Sequence, residues 1–237
     1  MDIVITMAGA GSRFRKAGYT VPKFMIEAKG KTLFEWSMDS LKGFITEDTC
    51  FYFIVRKEDD AVSFIKDKAS EFCRQCRVIE IDYLTDGQAT TAMLCKDYWR
   101  KDKPLLIYNI DTYVEPYEMK LSDVKGAGFI PCFNGKGDHW SFVRLDENGK
   151  GAEVREKTRI SENCTLGAYY FESCKLYEDI YEEYYYGDGN LEKGEKYVAP
   201  MYNYMIEKGY EIYISTVDAN KVHILGTPEE LKEFING

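Results

Sequence analysis

The sequence predicts an α/β fold, with a doubly wound, mostly parallel central sheet flanked by helices and a smaller β-rich part after it. Three observations predict it. Strand-like and helix-like segments alternate through residues 1–125. The strand-like runs are continuously apolar, as expected of strands buried on both faces. After residue 125 the chain changes to short strands separated by Gly, Asn and Asp turns, without a low-complexity linker or repeat. At 237 residues this reads as a single domain made of two parts, 1–125 and 126–237.

The elements follow in order. Ile3-Val4-Ile5 is a β-branched run that predicts a buried strand. Thr32-Leu33-Phe34-Glu35 is a capping box opening a helix through Trp36, Met38 and Leu41, with Gly43 near its end. Residues 51–55 predict a strand, and 59–72 a helix with Val62, Ile65 and Ala69 on one face; 78–81 predict a third strand. Thr85 with Gln88 fits a second capping box, ahead of a helix through Met93 and Tyr98. The run from Leu105 to Asp111 is a fourth strand that ends in a carboxylate. Short strands are then expected at 128–133, 141–145, 153–156 and 166–171, a helix at 173–186, a loop at 187–190, a helix at 198–208 and a strand at 211–217. Thr227-Pro228-Glu229-Glu230 caps a last helix, with proline at its first position.

Composition excludes several classes. Lys and Arg number 31 against 40 Asp and Glu, a net charge of −9, which speaks against general nucleic-acid binding because phosphate contacts need a basic face. A chain that is 45% hydrophobic and 15% aromatic has ample material for a core. No apolar run approaches the roughly 18 residues of a membrane span, and the N-terminus lacks the basic start of a signal peptide. Seven cysteines without framework spacing suit reduced thiols in the cytoplasm. Cys73 and Cys76 form a lone C-x-x-C between a helix and a strand, with no second pair to complete a zinc site.

The sharpest signal is Ala8-Gly9-Ala10-Gly11-Ser12-Arg13, directly after the first strand, with Pro22-Lys23 further on. Glycines let successive backbone N–H groups approach a phosphate closely. Residues 3–26 carry Arg13, Arg15, Lys16 and Lys23 and no acid, a local bias in an acidic chain that points to a polyanion such as a nucleoside triphosphate. The loop is not a dinucleotide fingerprint, since Phe14 stands at the third glycine position. Gly30-Lys31-Thr32 is not a phosphate loop either, since Met25 replaces the glycine required five residues earlier.

Taken together, this block resembles the opening of the sugar-1-phosphate nucleotidyltransferases and their small phosphocholine-type cytidylyltransferase relatives, whose pattern is a strand, A-x-G-x-G-[ST]-R and then a Pro-Lys pair. Further pieces are similar in order: Glu156-Lys157, the strand from Leu166 to Phe171, and the closing Gly226-Thr227-Pro228-Glu229. The resemblance implies a Rossmann-like fold, with the nucleotide on the first part and the acceptor on the second, and transfer of a nucleoside monophosphate with release of pyrophosphate. It implies that Ala8, Gly9, Ala10, Gly11 and Ser12 wrap the triphosphate, with Gln88, Thr90 and Asn109 also on the nucleotide. Arg13 would stabilise the leaving pyrophosphate, Lys23 the α-phosphate, and Asp111 would hold Mg²⁺. Trp140, Glu156, Lys157 and Gly167 are assigned to the acceptor, Lys157 to its phosphate. Many members carry a second metal-binding aspartate two residues before the closing glycine, where this chain has Ile224; Asp218 is the nearest substitute, or else a turn residue.

The chemistry asks for no nucleophilic triad, because the attacking group is an already anionic phosphate oxygen. Positioning and charge neutralisation carry such a transfer. The expected partners are a nucleoside triphosphate and a phosphorylated small molecule, with no nucleic acid and no membrane; self-association is left open. A sugar 1-phosphate is the favoured acceptor, from the polar groups Asn134, Asp138, His139 and Glu172 near the expected pocket. Aromatic rings around an acid-rimmed space near Lys157 would instead select a quaternary ammonium such as phosphocholine. A phospho-amino acid, or a catalytically silent nucleotide-sugar-binding relative, are the remaining alternatives.

Overall fold

The computed structural model covers Met1–Gly237. The first half contains β1 (Asp2–Thr6), α1 (Ser12–Lys16), β2 (Glu27–Ala28), β3 (Lys31–Thr32), α2 (Leu33–Asp39), β4 (Cys50–Arg56), α3 (Val62–Ala69), β5 (Gln75–Ile81), α4 (Gln88–Met93), β6 (Leu105–Asn109) and β7 (Thr112–Val114). The second half adds β8 (Gly128–Asn134), β9 (Ser141–Leu145), β10 (Gly151–Glu156), β11 (Asn163–Thr165), β12 (Ala168–Phe171), α5 (Cys174–Tyr184), α6 (Met201–Glu207), β13 (Ile212–Val217), β14 (Val222–Ile224) and α7 (Pro228–Asn236).

One ten-stranded sheet runs through both halves in the order β10-β9-β11-β8-β12-β6-β1-β4-β5, with β13 alongside β8. The β6-β1-β4-β5 side is parallel, and β12 joins β6 antiparallel to carry the sheet into its second half. That second half is antiparallel except for β13 on β8, so the whole sheet is mixed. Alternate residues of each central strand enter different cores. Ile3, Phe51, Phe53, Leu106 and Tyr108 pack on one face with Phe34 and Met38 of α2 and Ile65 of α3. Val4, Tyr52, Ile54 and Ile107 pack on the other with Ala92 of α4, Tyr177 of α5 and Tyr202 of α6. Burial on both faces is why these strands read as unbroken apolar runs. A small third cluster joins Phe14, Leu33, Tyr113, Leu225 and Leu231, locking α1 and α7 against the strand ends.

The Thr32 capping box forms in full: Glu35 N–H donates to Thr32 Oγ1 at 3.3 Å, and Thr32 N–H to Glu35 Oε2 at 2.8 Å. The helix it opens is shorter than the pattern suggests. Gly43 does not cap it; a Cβ there would lie 2.2 Å from the Met119 carbonyl oxygen, so this glycine permits close chain packing. The second expected capping box does not form. Gly87, at φ 146°, is the N-cap of α4, while Thr85 Oγ1 bonds the Gly87 carbonyl and Thr91. A Cβ on Gly87 would sit 2.3 Å from the Lys196 carbonyl oxygen, and that close approach sets the start of α4. The expected strand at 166–171 begins only at Ala168, as β12, because Gly167 at φ 71° turns the chain there; β11, at Asn163–Thr165, is a further strand that lies before the expected range. No helix is long and apolar enough to cross a membrane, and all seven cysteines are unpaired.

Candidate active site

β1 and β6 are parallel neighbours, with Thr6 opposite Asn109, so the loops leaving their carboxyl ends emerge side by side. Open α/β sheets bind ligands at that edge. Here a cavity of about 700 Å³ opens, walled by residues 6–11, Arg13, Lys23, Gln88, residues 109–112, Gly167 and Gly226 among others. Gly11, at φ 60°, turns the chain into α1 in a conformation that favours glycine. A Cβ on Gly9 would meet nothing within 4 Å, so packing does not demand that glycine; its bareness leaves space within the cavity.

The charges divide clearly. Arg15 pairs with Glu58 at 2.8 Å and with Asp59 at 3.6 Å. Arg13 is exposed on the cavity wall and forms no ion pair. Lys23 follows Pro22 in a 3-10 turn, and its ammonium lies 3.1 Å from Asp111 Oδ2, with side-chain exposures of 16% and 40%. Asp111 is held by its backbone: its carbonyl accepts from Leu225 N–H at 2.8 Å, and the carbonyl of Ile110 accepts from Ser37 Oγ at 2.9 Å.

Gln88 reaches across β1, donating to Thr6 Oγ1 at 3.2 Å and to Asn109 Oδ1. A Cβ on Gly167 would lie 2.4 Å from Asn109 Nδ2, and Gly167 sits at φ 71°. Gly167 therefore makes room for the Asn109 amide while also lining the cavity. Thr90 is not part of the cavity wall and bonds Asp86 and Tyr181; Thr91 takes the wall position. Ser12 is likewise off the wall.

On the far side, Trp140, Ser141, Glu156, Tyr169, Glu195 and Tyr197 line the cavity. Ser141 Oγ donates to Glu156 Oε2, which fixes that carboxylate. Lys157 is not on the wall. Its ammonium donates to Tyr197 Oη at 2.8 Å and lies 4.6 Å from that ring's centre. Burial works to lower the Lys157 pKa, but the bond to Tyr197 and the nearby Glu156 outweigh it and raise the pKa. Of the polar acceptor groups expected from the sequence, His139 alone reaches the wall; Asn134, Asp138 and Glu172 do not.

Asp218 is also off the wall. Its exposed carboxylate accepts from Asn220 N–H at 3.0 Å and caps a 3-10 turn between β13 and β14. Ile224 does line the cavity, from β14 opposite Thr112. Two further wall residues, Tyr197 and Glu230, lie outside the candidate set that the sequence offers. Tyr197 lies in a segment with no motif, and the sequence marks Glu230 only as part of a helix cap. Glu230 Oε2 is buried without a hydrogen-bond partner. With Asp111 on the same wall, the donor set suits a hard divalent ion, which takes one or two carboxylates and completes its shell with phosphate oxygens and water.

A glycine loop and a strand-end carboxylate, side by side over one cavity at the carboxyl edge of a parallel sheet, define a nucleotide-binding α/β enzyme. No family model and no curated protein matches the chain. Solved structures do. A nucleoside-diphosphate-sugar pyrophosphorylase from Vibrio cholerae RC9 is 36% identical, with 99% of this chain and 100% of that one covered and a TM-score of 0.91. The inositol-1-phosphate CTP transferase from T. maritima shares 15% identity over 97% of this chain and 90% of its own, at a TM-score of 0.77. The CTP:phosphocholine cytidylyltransferase from Streptococcus pneumoniae shares 17% over 99% and 97%, at 0.75. At these lower identities the likeness is one of fold. The chain belongs to the nucleotidyltransferase superfamily.

Proposed function

We propose that this chain transfers a nucleoside monophosphate from a nucleoside triphosphate to a sugar 1-phosphate. A phosphate oxygen of the acceptor forms a bond to the α-phosphorus as the bond from that phosphorus to the bridging β-oxygen breaks, and the electron pair leaves with pyrophosphate. The observation that carries the reading is Lys23 and Asp111 paired at 3.1 Å beside an Arg13 without an ion-pair partner, all on the wall that the glycine loop lines. The loop's N–H groups bind the triphosphate, Lys23 neutralises the α-phosphate, and Arg13 receives the charge that gathers on the departing pyrophosphate. Mg²⁺, when bound at Asp111, supplies further charge neutralisation on the phosphates. A silent relative would have no use for this set of charges at one cavity.

The sugar acceptor is supported by the 36% identity to a protein described as a nucleoside-diphosphate-sugar pyrophosphorylase. A specific observation favours a second reading, a cationic non-sugar acceptor: Trp140, Tyr169 and Tyr197 share the wall with Glu156 and Glu195. Against a ready-made cage, the Tyr197 ring already faces the Lys157 ammonium and the Tyr169 hydroxyl is tied to Thr165 at 3.1 Å. A pyrophosphate-release screen of CTP, UTP, GTP and dTTP against hexose 1-phosphates, phosphocholine and phospho-amino acids tests both. Release with a hexose 1-phosphate upholds the first reading. Release with phosphocholine and CTP alone replaces it with the second.

A further inference from the structure

We infer that Glu230 is the second carboxylate of the metal site, acting from α7 beside β14, whose residue on the cavity wall is Ile224; the identity of the ion rests on the nucleotidyltransfer reading. Glu230 occupies the first turn of α7, where its N–H donates to Thr227 Oγ1 at 3.2 Å. That bond fixes the backbone and leaves the side chain on the cavity wall. Oε2 is buried and unpartnered, a state that native proteins rarely leave without an ion or water. A methyl carbon placed on Gly226 would stand 3.3 Å from Glu230 Oε2 and 3.6 Å from Asp111 Oδ2. Both oxygens thus border one small volume, which the glycine keeps clear. The link between them is short: Leu225 N–H binds the Asp111 carbonyl at 2.8 Å, one residue before Gly226 and five before Glu230. The other candidate is spent elsewhere, because the Asp218 carboxylate caps its own turn. Lys23 pairs with Asp111 and not with Glu230, so the cation nearest the site does not answer the orphaned oxygen.

The test uses the full chain with Mn²⁺ alone as a paramagnetic probe, reading the free-ion EPR signal without nucleotide or acceptor. The wild type is expected to bind Mn²⁺. Glu230→Gln and Asp111→Asn are each expected to weaken binding roughly tenfold or more, while Asp218→Asn leaves it unchanged. Glutamine keeps the helix-terminal backbone bond, so Glu230→Gln is expected to melt within about 2 °C of the wild type, which separates lost ligation from lost folding. Equal affinity in wild type and Glu230→Gln, no Mn²⁺ binding by the wild type, or an equal loss in Asp218→Asn overturns the inference. The readout is independent of turnover. A chain that binds Mn²⁺ through Glu230 but releases no pyrophosphate keeps the site and loses the proposed reaction, and active turnover with Glu230-independent Mn²⁺ binding does the reverse.

Discussion

Arg13 and Arg15 leave the same turn of α1 and serve different ends. Arg15 is neutralised by Glu58 and Asp59, whereas Arg13 keeps its charge available to the cavity. Arg13→Ala is therefore expected to leave the melting temperature unchanged and to cut turnover at least about tenfold, with a smaller effect on triphosphate binding, because the backbone still holds ground-state phosphates. Steady-state kinetics beside a melting curve checks this, and full turnover in the variant removes Arg13 from the reaction. Gly9→Ala makes the complementary case. No protein atom lies within 4 Å of the added methyl, so the variant is expected to fold normally and to raise the KM for the triphosphate; an unchanged KM would mean that the phosphates do not approach Gly9. At this scale the sequence was most informative where chemistry and backbone geometry coincide. Gly9, Gly11, Arg13, Lys23 and Asp111 lie in or at the end of short segments with fixed spacing, and all reach one wall. Glu230 and Tyr197 were not legible, because their placement depends on how α7 and the segment before α6 fold back over the strand ends.

Among the elements, α2 shows what a local rule can carry. Thr32 and Glu35 exchange bonds at the start of the helix, and Glu35 also receives Lys68 of α3 at 2.9 Å. Burial raises the Glu35 pKa, but its bonds from Thr32 and Lys68 outweigh this and hold it below the usual carboxylate value. A carboxylate whose folded pKa is depressed adds stability above its unfolded pKa and loses it as pH falls through the folded one. Thr32→Ala is expected to cost about 1 kcal/mol at neutral pH and to flatten the loss of stability on acidification below about pH 4.5. Denaturant melts at neutral and acid pH measure both; a variant with the wild-type pH slope would show that the Thr32 hydroxyl does not set this pKa. The pattern at α4 misled for a physical reason. Thr85 and Gln88 have capping-box spacing, but Gly87 passes so close to the Lys196 carbonyl that the backbone begins the helix there, and Gln88 is free to reach Asn109. Such an approach joins positions more than a hundred residues apart and leaves no local trace.

Across the whole molecule, the parallel half of the sheet was legible because double burial writes continuous apolar runs. The antiparallel half was legible only as short strands, since pairing order there is set by contacts between distant segments. Phe34 illustrates how the core on one face of the sheet is packed: it is fully buried, with Phe53 of β4 at 5.4 Å and Phe64 of α3 at 5.7 Å between ring centres. Phe34→Ala is expected to cost about 3–5 kcal/mol, seen as a lowered denaturation midpoint; a midpoint near the wild-type value would mean that this core collapses around the gap. The central claim, however, is a reaction, and ³¹P NMR of the wild-type chain with Mg²⁺, a nucleoside triphosphate and a phosphorylated acceptor tests it most directly. The account predicts that the triphosphate and acceptor signals give way together to a coupled diphosphate pair from the joined product and a singlet from pyrophosphate, and that Asp111→Asn leaves both substrates intact. Orthophosphate as the sole product, or unchanged spectra with every triphosphate and acceptor of the panel, would contradict it.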